Sequence, residues 1–295
     1  MSARILDGKA IGDQIKQEVG REVAELRGQG VQPGLTVVLV GDNPASELYV
    51  RNKVKTCEAL GIRSEKITPP ASISTQELLA IVEELNARDD VDGILVQLPL
   101  PPQIDAQRVL LAVDPAKDVD GFHPVNVGNL VTQRPGLRSC TPAGILEILK
   151  RSGIALKGAR AVVVGRSDIV GKPTAMLLLH EHATVTICHS RTQNLPSVCR
   201  EADILVAAMG RPEMITAEYI KPGATVIDVG SNKVADPSAP SGSRWTGDVH
   251  FSSVKEVAGA ITPVPGGVGP LTIAMLMANT LKAFRLRRSA PAVVA

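Results

Sequence analysis

The stretch ASELYVRNKVKTCEALG, residues 45–61, places Tyr49 and Lys53 in the spacing Y-x-x-x-K. On a helix, positions i and i+4 share a face, so a phenol and an ammonium would lie side by side. Such a pair can move a proton. Two other stretches carry comparable chemistry: ILVQLPLP sets Gln97 into an apolar run, and KDVDGFHP supplies Asp118 and Asp120. Each has a plain structural explanation, since helix faces are exposed, amides cap backbone and aspartates make turns. Parallel sheets take ligands at the carboxyl ends of their strands, and there Gln97 and the aspartate loop would meet. A lysine desolvated in such a place has a lowered pKa and exchanges protons near neutrality.

A second chemistry lies in VVVGRSDIVGKP. Gly165 follows a β-branched run directly, and Gly171 heads the next helical stretch. Backbone N–H groups at a helix N-terminus, approached closely over glycine, bind a pyrophosphate. The pattern Gly165-Arg166-Ser167-x-Ile169-Val170-Gly171 departs from G-x-G-x-x-G, and alone it also fits an ordinary strand-to-helix turn. The ribose selector is expected about 20 residues on. That position reads Cys188-His189-Ser190-Arg191-Thr192, with no acid. A hydroxyl and a guanidinium suit a 2′-phosphate, which arginine binds bidentately, and Arg166 offers a second cation. The expectation is NADP rather than NAD; His189 fits a structural role as well as a cofactor contact.

Motif order excludes one reading. Short-chain dehydrogenases place Y-x-x-x-K after the glycine turn and in the same domain. Here Tyr49 and Lys53 precede Gly165 by more than 100 residues.

Helices and strands must position these groups. Ile11, Ile15, Val19, Val23 and Leu26 recur at helical spacing and stop at Gly28 and Gly30. LTVVLVG (35–41) and VDGILVQLPLP (91–101) read as buried strands, with a helix over 45–61 and a strand near RSEKIT between them. A further helix over STQELLAIVEELNA opens on Ser74 and Glu77, a capping box. Residues 114–140, rich in Gly, Pro and Asp, read as a linker or a site loop. A second alternating block follows, with strands at ARAVVVG, ATVTICHS, ADILVAAMG and ATVIDVG. Strands alternating with helices predict parallel sheets, so the chain is read as α/β with two domains. The helix LTIAMLMANTLKAF lies beyond the last strand and is expected to pack back on the first domain.

Composition excludes other classes. With 295 residues, two domains are the ordinary expectation. Aromatics are only 2% of residues and net charge is +2, which leaves little for nucleic-acid binding despite the basic RLRRS near the end. Cys57, Cys140, Cys188 and Cys199 have no C-x-x-C spacing, so neither disulfides nor a metal site is expected. The charged N-terminal stretch does not resemble a signal peptide, and no apolar run approaches the roughly 18 residues of a membrane helix. A cytoplasmic location is expected.

Read together, SELYVRNKVKTCEALGI, GILVQLPLP, KDVDGFHPVNVGNL, CTPAGILEIL, VVVGRSDIVGKP, TVTICHSRT, DVGSN, GDVHF and TPVPGGVGPLT resemble the bifunctional methylenetetrahydrofolate dehydrogenase/cyclohydrolase family. The resemblance spans residues 4 to 284. It implies an N-terminal catalytic domain (1–140 plus 269–295) and a Rossmann-like NADP domain (141–268). It implies oxidation of 5,10-methylenetetrahydrofolate by NADP, then hydrolysis of the methenyl product to 10-formyltetrahydrofolate. Lys53, Gln97 and Asp120 match its catalytic positions. Tyr49, Leu98, Pro265, Gly266 and Gly267 join those three in binding substrate. Gly165, Arg166, Ser167, Ile169, Val170, Ser190, Arg191 and Ile261 match cofactor positions. The likeness further implies a homodimer. Two positions depart from the family pattern: His250 stands where Asp is usual, and Ser139 where Pro is usual. The alternatives are another two-domain dehydrogenase such as a shikimate dehydrogenase, a single-activity variant, and a non-catalytic NADP sensor. The last has no reason to keep Lys53, Gln97 and Asp120 together.

Overall fold

The computed structural model describes residues 2–239 and 242–289. In chain order the elements begin β1 (Arg4–Ile5), α1 (Gly8–Gly28), β2 (Gly34–Val38), α2 (Pro44–Leu60), β3 (Arg63–Ile67), α3 (Thr75–Ala87), β4 (Gly93–Val96), α4 (Ala106–Ala112), α5 (Pro124–Val131) and α6 (Cys140–Arg151). They continue β5 (Arg160–Val164), α7 (Gly171–His180), β6 (Thr184–Cys188), α8 (Leu195–Cys199), β7 (Ile204–Ala207), β8 (Thr225–Asp228), β9 (Asn232–Ala235), β10 (Ser243–Thr246), α9 (Phe251–Val254), β11 (Ala260–Ile261) and α10 (Val268–Ser289).

Two compact units result. One holds the chain through Asp13 together with Thr141–Thr272; the other holds Gln14–Cys140 together with the chain from Ile273 onward. The N-terminal segment, expected in the catalytic domain, falls instead in the unit that contains Thr141–Thr272. The physical reason is β1, which pairs in parallel with β11 (Arg4 with Ala260, Ile5 with Ile261). The later boundary falls at 272/273 rather than 268/269.

The unit that holds Gln14–Cys140 is built on a three-stranded parallel sheet in the order β3-β2-β4. All five residues of β2 are buried, as a central strand requires. The capping box forms: Ser74 Oγ accepts from Glu77 N, and Glu77 Oε2 accepts from Ser74 N at 2.8 Å. The stretch 91–101 is strand only over β4, and residues 114–140 contain α5. α10 joins this unit through Asn279, Lys282, Arg287 and Arg288. Both terminal guanidiniums donate to Asp92 Oδ1 at 2.7 Å, and Asp92 Oδ2 accepts from Gly34 N at 2.9 Å. The basic RLRRS is thus tied down by a carboxylate with no exposed surface.

The other unit carries a six-stranded parallel sheet, β1-β11-β8-β7-β5-β6, and a β9–β10 antiparallel hairpin. Four of its strands match the expectation. β1 and β11 escape it because two residues cannot show a period. From β5 the chain passes to β6 on one side and later to β7 on the other, which makes the carboxyl end of β5 a topological switch point. The three-stranded sheet has its own at β2, between β3 and β4.

Candidate functional site

α2 projects Lys53 toward the end of β4, where its Nζ donates to Gln97 Oε1 at 2.9 Å. Gln97 Nε2 donates to the Leu98 carbonyl at 2.6 Å, which holds the far side of the same amide. The backbone beneath is fixed as well, because Gln97 N donates to Val38 O at 2.9 Å. α2 also carries Tyr49 one turn earlier, with half its surface exposed. Leu98 is half-buried and precedes a cis bond to Pro99.

The loop after the isolated bridge from Ile94 to Asp118 sorts the two aspartates. Asp118 Oδ2 accepts from His123 N at 2.8 Å and Asn126 Nδ2 at 2.9 Å, so it shapes the loop. Asp120 has no side-chain hydrogen bond among the described residues. Desolvation pushes its carboxyl up to about 6 against the pull of the Lys53 charge, with Asp118 adding to the rise. A half-buried carboxyl with open acceptor sites, beside a lysine, is suited to N–H donors of a ligand. Cys140 is buried nearby, and desolvation, then the Asp120 charge, raises its thiol pKa well above the ordinary value.

Sequence reasoning missed the group that holds this loop. Asn279 on α10 is buried, and its Nδ2 donates to the carbonyls of Val119 and Arg138, each at 2.7 Å. The loop also presses close: with φ at 72°, Gly121 has no room for a Cβ, which would lie 2.4 Å from Arg138 C. The available signal was a lone amide in the apolar run LTIAMLMANTLKAF. Ser139, where the family pattern has Pro, is buried beside this contact.

In the six-stranded unit Gly165 ends β5 with φ at 138°, and a Cβ there would fall 2.1 Å from Ala208 O. Gly171 opens α7, and its Cβ would fall 2.3 Å from Gly165 O. Ser167 Oγ accepts from the N–H groups of Val170 and Gly171, each at 3.2 Å, which closes the turn. Arg166 and Ile169 are exposed on it. At the end of β6, His189 N donates to Thr192 Oγ1 at 2.9 Å and His189 Nδ1 accepts from Arg191 N at 3.1 Å. His189 is therefore used structurally, and this turn leaves Arg191 exposed and Ser190 within reach of solvent. Neither Arg166 nor Arg191 forms an ion pair with an acid among the described residues. A side-chain-free cradle at a switch point, with two unpaired guanidiniums, fits a dinucleotide carrying an extra phosphate.

The remaining expected residues lie elsewhere in this unit. Ile261 is fully buried in the sheet core, and its carbonyl accepts from Leu6 N at 2.8 Å. Pro265 follows a cis bond from Val264, and Gly266 has φ at 105°. Gly266 O accepts from Lys9 N at 3.1 Å, and a Cβ on Gly8 would fall 1.8 Å from Gly267 O. His250 pairs with Ser253 Oγ through Nδ1 at 2.8 Å.

Comparison with known proteins identifies the family of both parts of the chain. Residues 6–120 match the model of the tetrahydrofolate dehydrogenase/cyclohydrolase catalytic domain, and residues 139–288 match that of its NAD(P)-binding domain. The bifunctional protein FolD of Koribacter versatilis is 64% identical, with 98% of this chain and 99% of that protein covered. The crystal structure of a bifunctional FolD from Campylobacter jejuni is similar at a TM-score of 0.92 and 44% identity, covering 97% of this chain and 100% of that one. A Trypanosoma brucei FolD complexed with NADP and an inhibitor gives a TM-score of 0.92 at 43% identity, covering 98% and 100%. The chain belongs to the tetrahydrofolate dehydrogenase/cyclohydrolase family.

Proposed function

We infer that this chain carries a one-carbon unit through two steps. 5,10-Methylenetetrahydrofolate is oxidised to 5,10-methenyltetrahydrofolate with NADP, and water then opens the product to 10-formyltetrahydrofolate. The observation that carries this reading is the Lys53–Gln97 contact at 2.9 Å beside the desolvated Asp120.

Each residue has a definable task. Ionised Asp120 accepts the paired N–H groups of the substrate's amino-pyrimidine edge, two charge-assisted hydrogen bonds that orient the ring. Tyr49 offers its exposed face to the aminobenzoate ring. NADP, when bound, accepts the hydride; the chain's part in that step is orientation rather than proton transfer. In hydrolysis, a water oxygen bonds to the methenyl carbon while Lys53 Nζ takes its proton. The carbon–N5 bond then breaks as the carbinol hydroxyl releases its remaining proton to solvent, and the proton held by Lys53 passes to N5, which leaves the formyl group on N10. Gln97 Oε1 aims Lys53 through this cycle.

The preference for NADP over NAD is supported by Arg166, Ser190 and Arg191 at the glycine turn and the end of β6, and by the NADP complex of the Trypanosoma brucei relative. Four buried free cysteines suit the reducing cytoplasm. The family likeness supports a homodimer, to be checked by sedimentation equilibrium.

The deciding assay supplies methylenetetrahydrofolate with NADP or NAD and follows reduced nicotinamide and methenyl absorbance together. Turnover with NADP, followed by decay of the methenyl signal, is expected. No turnover with either cofactor refutes the reading, and faster NADH than NADPH formation refutes the cofactor assignment.

A further inference from the structure

The stretches DVG (228–230) and GDV (247–249) contain two aspartates that neither reaction step uses. Both are buried, Asp228 at 3% and Asp248 at 0% exposure. Asp248 Oδ2 accepts from the backbone N–H groups of Met209 at 2.7 Å and Gly210 at 2.9 Å, while its Oδ1 accepts from Asn232 Nδ2 at 2.9 Å. Asp228 holds Asp248 in turn. Its Oδ1 accepts from Asp248 N and Gly230 N, each at 2.9 Å, and its Oδ2 from Val249 N at 3.0 Å. Glycine makes the approach feasible: a Cβ on Gly247 would lie 1.7 Å from Asp228 Oδ2, and one on Gly230 2.2 Å from Asp248 N.

Met209 and Gly210 belong to the segment that leaves the carboxyl end of β7. Ala208, just before them, donates its N–H to Val164 O at 2.8 Å, and its carbonyl bars any Cβ on Gly165. β5 and β7 are neighbours at the switch point, so a dinucleotide taken there meets the glycine turn on one side and residues 208–210 on the other. Gly210 has no side chain and Met209 packs its own against the sheet core, so the two backbone amides of that second lip are held by the Asp248 carboxylate.

We propose that Asp248 is a positioning residue for the dinucleotide, holding the Met209 and Gly210 amides so that the lip opposite the glycine turn keeps its shape. Asp228 orients Asp248. The proposal rests on the reading of this unit as the NADP site. Three N–H donors converge on Asp248, and a carboxylate accepts all of them without rotating a donor inward. Asparagine at 248 can still accept from the two loop amides through its oxygen, provided Asn232 turns its own amide over. Alanine accepts nothing.

The test measures both activities in Asp248→Asn and Asp248→Ala. Cyclohydrolase turnover of methenyltetrahydrofolate uses no NADP and reports whether the chain is otherwise intact. The expected result is a graded rise in the KM for NADP, about threefold for D248N and about tenfold or more for D248A, reflecting weaker and lost hydrogen bonds. The KM for the folate and the cyclohydrolase kcat should stay within about twofold. An unchanged KM for NADP in folded D248A overturns the proposal, as does a parallel fall of both activities. If D248A does not fold, D248N decides by the same split. Wild-type protein inactive with NADP would instead sink the underlying reading, which keeps the two failures apart.

Discussion

Lys53 Nζ stands 2.9 Å from Gln97 Oε1 while the other end of that amide is held 2.6 Å from the Leu98 carbonyl. The second bond determines the first: with Nε2 committed to a carbonyl, only the oxygen can face the lysine. Lys53→Met keeps the unbranched stem, one atom shorter, and removes the proton-carrying amine. Cyclohydrolase activity should fall by about 10²-fold or more, the usual weight of a general acid–base group, with a smaller loss in the dehydrogenase. Equal retention of both activities would remove Lys53 from the mechanism.

With Asp120 in its proposed place against the pterin, folate binding should depend on pH. Its carboxyl is pushed up to about 6 by desolvation, and only the ionised form accepts both ligand N–H groups. The KM for the folate should therefore rise as pH falls through about 6, and Asp120→Asn should flatten that limb. The stability of the ligand-free protein should move the other way. A folded pKa above the unfolded one means that the folded state binds more protons in that window, so this group's contribution to stability rises as pH drops through about 6. Thermal melts at about pH 7 and about pH 5, wild type against D120N, separate the two effects.

Asn279 should report on the Asp120 loop from a distance. Its Nδ2 is the donor to the Val119 and Arg138 carbonyls, and Asn279→Asp replaces that donor with a charge facing two oxygens. A loss of about 2–3 kcal/mol is expected in chemical denaturation, with a raised folate KM. A folded variant with wild-type KM would show that the loop keeps its place without the clasp.

Asp92 tests whether the basic end of the chain is structural. Asp92→Ala leaves Gly34 N without its acceptor and releases Arg287 and Arg288. Removing one partner of a buried ion pair costs about 3 kcal/mol, visible as a lower urea midpoint. A variant as stable as wild type would mean that α10 is anchored without these contacts.

What periodicity can express was legible in advance: α1, β2, the capping box at Ser74, and the strand-to-helix turn at Gly165. What depends on a distant partner was not. β1 and β11 are strands only because they pair, and two residues have no pattern to read. Asp118 and Asp120 look alike in KDVDG, and only the bonds from His123 N and Asn126 Nδ2 reveal that Asp118 is occupied. Asn279 in its apolar run and Asp248 in the short stretch TGDVH carry no periodic signal, and their importance lies wholly in which backbone amides and carbonyls the fold brings to them.

The division of the chain has a consequence for how it is made. The six-stranded unit takes its outer strand β1 from before Gln14–Cys140, and the strands that pair onward from it are made only after that whole segment. The other unit has its three strands within Gln14–Cys140 but lacks α10, which carries Asn279 and is made only after Thr141–Thr272. Each unit therefore encloses an interruption by the other, and neither is a contiguous piece that could finish alone. Such non-local closure slows folding, because the loop must be closed before its contacts contribute. Cutting the gene at residue 140 would yield two fragments, each missing an element that belongs to it.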